Sequence, residues 1–359
     1  MKTLLLVSGL GDRPRDRDLE RAGREPRLTL FNDRLGCDTI NRAAVRSVPG
    51  IRGAFYRLLP VPAAQAVEAW VRRRDYDAVI SWADDIALAH AAVKLVTFSR
   101  HPHVAMMTWL SKPKKALPFR LLHPGIDRLL LWSTVQREAA LRLGASPRAV
   151  ALLGRRADTT FWRPVNGPTD TVCSAGREMR DFPTLVEAMR DTGIPCHIAT
   201  GVYPDGRLFE TVKNLYRVGD LPANVTVGSM TREELRALYG RSRFVVVPLH
   251  PTDTDNGATT IEEAMAMGKA VLCTRTAGQV DLVREGETGI MVPPHDPAAL
   301  RAAVVRLWEN PAEAARMGAN ARALAEERHS LDRFVDDVEG IVREAVLEAR
   351  AGRQRLRSG

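Results

Sequence analysis

Short apolar runs bounded by charged residues, glycine or proline recur from Lys2 to Gly154: KTLLLVS, RLTLFN, DAVISW, HVAMMTW, RLLLWS and VALLG. Their length and their breakers predict buried strands, and stretches such as PAAQAVEAWVRRR and TVQREAALRLG between them carry the 3.6-residue period of amphipathic helices. Strand and helix in alternation imply a parallel sheet covered on both faces. FWRPVNGPTD, rich in Pro, Gly and Asn, interrupts the pattern, which then starts again with TVCSAG, CHIAT, NVTVGS, RFVVVPL, AVLCT and GIMVP as strands. FPTLVEAMR, TREELRALYG, TTIEEAMAMG and GQVDLVREG read as the intervening helices, and beyond Pro297 only helical periodicity is left. The expected fold is α/β, with two doubly wound Rossmann-like lobes facing a cleft and helices at the C-terminus. Expected boundaries are 1–166 for a first Rossmann-like lobe, 167–335 for a second, and 336–359 for a C-terminal helix and basic tail that can return to the first.

Length agrees with two lobes, since 359 residues exceed what one ordinary core organises. No apolar run nears the ~20 residues that span a bilayer, and the run after Met1 lacks a small-residue cleavage site, so a cytoplasmic protein is expected. Cys37, Cys173, Cys196 and Cys273 are scattered without zinc or disulfide spacing and read as buried thiols. The net charge of +9 comes from 52 basic residues of which seven are lysine, and the arginines are spread along the chain. That is background basicity, and no nucleic-acid partner is expected. One segment stands apart. In residues 109–125, Lys112, Lys114, Lys115 and Arg120 alternate with Trp109, Leu110, Leu117, Phe119, Leu121 and Leu122, which suits either a peripheral contact with an acidic membrane surface or a solvated loop and a packed helix.

In open parallel sheets ligands bind outside the carboxyl ends of the strands. Three loops there carry chemistry. Gly9 and Gly11 follow the first strand and let backbone approach a ligand, although Pro14 stands where a dinucleotide fingerprint needs glycine. Arg177 and Arg180 flank a turn between a strand and a helix, where two guanidiniums and a helix dipole act on one anion. In HPTDTDNGATTIEEAMAMGKAVLCT, Gly257 precedes a helix whose first N–H groups, on Ala258, Thr259 and Thr260, are placed to hold a phosphate. Glu263 follows Thr260 one turn on and can accept from a ribose, while Asp255 stands at the mouth, as a sugar ligand or as a helix cap. Together these residues suit a nucleoside diphosphate that carries a sugar.

DNGATTIEEAMAMGKAVLCT, followed by GQVDLVREGETGIMVPPHDPAALRAAVVRLWENP, resembles the C-terminal domain of retaining GT-B glycosyltransferases of the group-one or family-four class. In that family two acids separated by seven residues precede an alanine-rich helix, and here they fall on Asp255 and Glu263. Asp158, Phe161 and Pro164 match the family's approach to its interdomain linker, and SAGREMRDFPTLVEAM matches the loop that holds the donor diphosphate. The resemblance covers Asp170 to Leu331 closely and Arg128 to Pro164 more loosely. It departs at Asp255, which replaces the usual Glu, at Arg180, which replaces a Lys, and in the first lobe, where His101 and His103 do not match the family's histidine. The resemblance implies transfer of a sugar from a nucleotide-sugar donor, a UDP-sugar ahead of a GDP-sugar, with retention of configuration and no metal. Arg177, Arg180 and Asp255 would be the catalytic residues, and Gly9, Gly11, Gly257, Ala258, Thr259, Thr260 and Glu263 would bind the donor. Asp253 to Asp255 mimics an acid-x-acid metal motif, but it precedes a helix in a doubly wound lobe. The acceptor stays open. A sugar-nucleotide epimerase and a non-catalytic binder of anionic ligands also remain open.

Overall fold

A computed structural model describes residues 1–9, 14–201, 214–215 and 220–358. Two compact units are present: Met1–Arg21, Leu28–Gly154 and Phe334–Gly359 form the first, and Ala22–Arg27 with Arg155–Arg333 form the second. The divisions fall at Arg155 and Phe334 rather than at 167 and 336, and a short early segment joins the second unit. That segment is tied down by Arg27, whose backbone N–H and guanidinium both donate to the buried Asp158 carboxylate, at 2.8 Å and 2.7 Å, while its other terminal nitrogen reaches Asp332. The final helix, Leu331–Ser358, lays Phe334 against Phe31 and Trp132 of the first unit.

In the first unit β1 (Thr3–Val7), β2 (Cys37–Ile40), β3 (Ala78–Trp82), β4 (His103–Met107), β5 (Arg128–Leu131) and β6 (Val150–Leu152) form a parallel sheet in the order β2-β1-β3-β4-β5-β6. In the second, β7 (Thr171–Ala175), β8 (Cys196–Ala199), β9 (Val225–Gly228), β10 (Ser242–Val247), β11 (Ala270–Thr274) and β12 (Gly289–Val292) are also all parallel, in the order β12-β11-β10-β7-β8-β9. The order reverses between β7 and β10, which makes that edge the ligand-binding position of a doubly wound sheet. β7, β10 and β11 are buried at nearly every position because helices cover both faces.

Two predicted elements differ. RLTLFN is not a strand: Leu30–Leu35 is a helix that buries Phe31 and Leu35 and closes on Gly36 at φ +58°, and the strand follows at Cys37. GQVDLVREG is not a helix. Its Gly278 lies so close to the Thr254 backbone that a Cβ would stand 2.1 Å from the Thr254 carbonyl oxygen, and Gly278 N donates to Thr252 O at 2.9 Å. Tertiary packing against the loop after β10 overrides the helical period there. Cys173, Cys196 and Cys273 are buried thiols and Cys37 is half-buried. No helix among the described residues is long and apolar enough to cross a membrane.

Candidate functional site

At the carboxyl end of β7 the chain turns at Gly176, φ +109°, where an added Cβ would lie 2.2 Å from the Arg180 Nη2 atom. Glycine is needed for both reasons, the left-handed backbone and the space for the guanidinium. Arg177 is exposed, whereas Arg180 is buried. Arg180 Nε donates to Ala175 O (2.8 Å), Nη1 to Glu178 O (2.9 Å) and Nη2 to Thr260 Oγ1 (2.9 Å). One N–H on each terminal nitrogen is left over. No carboxylate pairs with Arg180 among the described residues, and although burial lowers its pKa, a guanidinium stays charged. The structure thus holds a buried cation at the switch point that touches no carboxylate among the described residues, with Glu178 and Glu263 acting on it only at a distance.

Thr260 links the two loops, since its hydroxyl accepts from Arg180 and donates to Ala175 O at 3.3 Å. Gly257, φ +90°, caps the helix Ala258–Ala266 without a side-chain cap, and its missing Cβ leaves room for Val247 and Leu249 beneath. Ala258 N donates to Asp255 O at 3.2 Å, so of the three N–H groups expected to face a phosphate one is spent within the turn. Those of Thr259 and Thr260 have no acceptor among the described residues. Thr259 is exposed and Thr260 buried.

Neither acid stands free. Asp255 is buried and is no helix cap; its Oδ2 accepts from Arg155 Nε at 2.6 Å. Glu263 is also buried, with Arg232 Nη1 2.9 Å from one oxygen and Tyr239 Oη 3.2 Å from the other. Burial pushes the Glu263 pKa up to about 7, against the pull of Arg232 and Tyr239. The neighbouring Glu262 is buried too, its Oε1 3.7 Å from His329 Nδ1, and neither atom has a hydrogen-bond partner. Burial drives the Glu262 pKa up and the His329 pKa down, disfavouring the charged form of each.

The structure therefore brings Arg180, Gly257, Ala258, Thr259 and Thr260 to one edge of the second sheet, with Arg177 on the exposed side of the same loop. Gly9 follows β1 in the first unit, exposed, where a Cβ would meet open space, so nothing local requires glycine. Gly11 lies outside the described residues. Sequence reasoning missed Arg155, Arg232 and Tyr239, each far in the chain from the acid it holds. Gly176 was legible only as the glycine before Arg177.

Residues 172–324 match the family model described as Glycosyl transferases group 1. Over that stretch the chain is similar to the group 1 glycosyl transferases. Among curated relatives, the D-inositol 3-phosphate glycosyltransferase of Acidothermus cellulolyticus is 27% identical over 243 residues, 67% of this chain and 51% of that protein. The D-rhamnosyltransferase WbpZ of Pseudomonas aeruginosa is 37% identical over 98 residues, 27% of this chain and 26% of that one. The chain thus spans about half the length, or less, of these relatives. The crystal structure of Anabaena Alr3699/HepE in complex with UDP superposes with a TM-score of 0.71 at 16% identity, covering 96% of this chain and 100% of that one. Sucrose-phosphate synthase from Thermosynechococcus elongatus gives the same TM-score at 20% identity, over 96% and 99%. The fold shared with these structures is the two-sheet, Rossmann-like GT-B fold. Arg177, Arg180, Asp255, Gly257, Ala258, Thr259, Thr260 and Glu263 all lie inside the matched stretch, and Arg155 lies before it.

Proposed function

We propose that this protein transfers a sugar from a nucleoside-diphosphate sugar to an acceptor, with retention of configuration and no metal in the transfer step. The observation that carries the reading is Arg180: a buried guanidinium with no carboxylate partner among the described residues, bonded to the first turn of a helix whose Thr259 and Thr260 N–H groups lack acceptors there. An isolated buried charge is costly, and an anionic ligand removes that cost. In the transfer the bond from the anomeric carbon to the diphosphate oxygen breaks, a bond to an acceptor hydroxyl oxygen forms as that hydroxyl gives up its proton to solvent, and the departing diphosphate gains negative charge. Arg180, the helix N-terminus and the exposed Arg177 stabilise that charge, as preorganised donors do for any leaving anion. Asp255, held by Arg155, is assigned to the transferred sugar, and Glu263 to the ribose.

Similarity to the group 1 glycosyl transferases and to structures solved with UDP and with UDP-glucose, those of Alr3699/HepE, favours a UDP-sugar as donor. In the first unit the helix Pro113–Leu122 exposes Leu117 and Leu121 beside Lys114 while burying Phe119, which supports the reading of 109–125 as a peripheral contact with an anionic membrane surface. A panel of UDP- and GDP-sugars screened by thermal shift, followed by assay of diphosphate release with candidate acceptors, tests the reading. Stabilisation by one donor and release that depends on acceptor support transfer. Conversion of the donor without any acceptor would point to an epimerase, and no response to any nucleoside diphosphate would overturn the assignment.

A further inference from the structure

Three loops at the carboxyl edge of the second sheet each deliver one metal-ligating side chain to one point: Asp181 from the loop after β7, His250 from the loop after β10 and His295 from the loop after β12. The His295 Nδ1 atom lies 2.8 Å and the His250 Nδ1 atom 4.0 Å from the same oxygen, Asp181 Oδ2. The three donor atoms all lie within 4.8 Å of one another, and the imidazole centroids are 5.3 Å apart. We propose that Asp181, His250 and His295 form a binding site for a divalent transition metal of the zinc class, which ties the three loops together.

Ligands about 2.0–2.1 Å from a tetrahedral ion stand about 3.3 Å from one another, and the separations of 2.8 Å and 4.0 Å bracket that spacing. Small side-chain shifts suffice to close the site. Two imidazoles and one carboxylate suit zinc and its neighbours better than magnesium or calcium, which prefer oxygen. The carboxylate is fixed from behind: Thr184 N donates to Asp181 Oδ1 at 3.3 Å and Thr184 Oγ1 to Oδ2 at 2.7 Å. Such outer contacts orient a metal ligand. Asp181 is buried at 5% side-chain exposure while His250 and His295 are 33% and 54% exposed, so the carboxylate forms a floor and the open side has room for a water or a further ligand.

The backbone is bent to present these groups. His295 sits at φ +56°, and Met179, at φ +55°, offers the carbonyl that receives the His250 N–H at 3.0 Å. Non-glycine residues at positive φ cost energy and persist where the surroundings enforce them. The same stretch knits the first two loops directly, since Arg180 and Leu249 form an antiparallel bridge and Asp181 N donates to Pro248 O at 3.1 Å. An ion on Asp181, His250 and His295 would add the third loop to this clamp. The proposal assigns it no part in sugar transfer and does not depend on that reading.

The rival is a simple hydrogen bond from His295 Nδ1–H to the Asp181 carboxylate, with His250 a bystander. Calorimetric titration of zinc into the full chain, stripped of metal by chelator and free of nucleotide, separates the two. One equivalent is expected to bind with micromolar or tighter affinity, and cobalt is expected to give visible absorption bands of low coordination number. His250→Ala, on a half-buried side chain, and His295→Ala, on an exposed one, should each weaken zinc at least tenfold while moving the metal-free Tm by only a few degrees. Asp181→Asn keeps an oxygen to cap the helix at Phe182 and should also weaken it. Zinc binding weaker than millimolar, or equal affinity in wild type and both histidine variants, would overturn the site.

Discussion

His103 and Arg180 are both buried polar side chains near strand ends, one in each unit, and their surroundings differ in kind. His103, at the start of β4, has Nε2 2.8 Å from Ser81 Oγ and Nδ1 3.1 Å from the Gly125 carbonyl. One nitrogen therefore donates and the other accepts, the neutral imidazole is satisfied, and burial pushes its pKa down to about 3. Asp84 in the same unit is likewise spent, accepting from the Thr108 N–H at 2.8 Å. Arg180 has its hydrogen bonds but no carboxylate in contact among the described residues, Glu178 and Glu263 acting on it only at a distance. Polar groups satisfied inside the fold support the fold, and a buried charge without a contacting counterion at a switch point is a place for a ligand.

The largest expected effect comes from Arg180→Ala. It removes the cation and its three hydrogen bonds, leaving Glu178 O without that donor while the Thr260 hydroxyl still donates to Ala175 O, so a loss of about 1–2 kcal/mol in stability accompanies loss of nucleoside-diphosphate binding. Denaturant unfolding and calorimetry read the two losses. Intact stability would contradict the burial of Arg180 described above. Arg177→Ala, on the same loop but exposed, should leave the Tm within a degree or two and cost about 2–4 kcal/mol of transition-state stabilisation, roughly thirty- to a thousandfold in turnover. Equal damage to folding from both variants would erase the distinction between them.

Asp255→Asn comes next. With the Asp255 carboxylate and its charge-assisted bond to Arg155 lost, a loss of about 1.5–3 kcal/mol in turnover is expected, with nucleoside-diphosphate affinity nearly unchanged. A kinetic comparison of the donor with its free diphosphate checks this, and equal weakening of both would move Asp255 to the diphosphate side. The smallest effects are pH-dependent. Glu263 has a folded pKa near 7, above its unfolded value, so it stabilises the fold fully below the unfolded pKa and this contribution is lost as pH rises through about 7. His103 works in the opposite sense: its depressed pKa makes the native state resist protonation, so stability falls as pH drops from the usual histidine range toward 3. Tm profiles of wild type, Glu263→Gln and His103→Gln should show the alkaline loss vanish in the first variant and the acid loss shrink in the second.

Much of this was legible in the sequence. The alternation of apolar runs and amphipathic stretches predicted two parallel sheets, and the loop before Ala258 pointed to the helix N-terminus that the second sheet presents. What stayed hidden depends on contacts distant in the chain. RLTLFN has an apolar content that suits strand or helix, and only the packing of Phe31 and Leu35 decides for helix. Asp255 and Glu263 look like free carboxylates because Arg155, Arg232 and Tyr239 reach them from other elements. Arg177 and Arg180 look equivalent three residues apart, yet Gly176 opens space for one and leaves the other in solvent.

The central claim is that the edge between β7 and β10 holds a diphosphate, and calorimetric binding of UDP and of uridine to wild type and Arg177→Ala tests it most directly. UDP is expected to bind wild type at least a hundredfold more tightly than uridine, and Arg177→Ala should weaken UDP about tenfold or more while leaving uridine unchanged. Equal affinities for UDP and uridine, or no change in UDP affinity in the variant, would contradict the account.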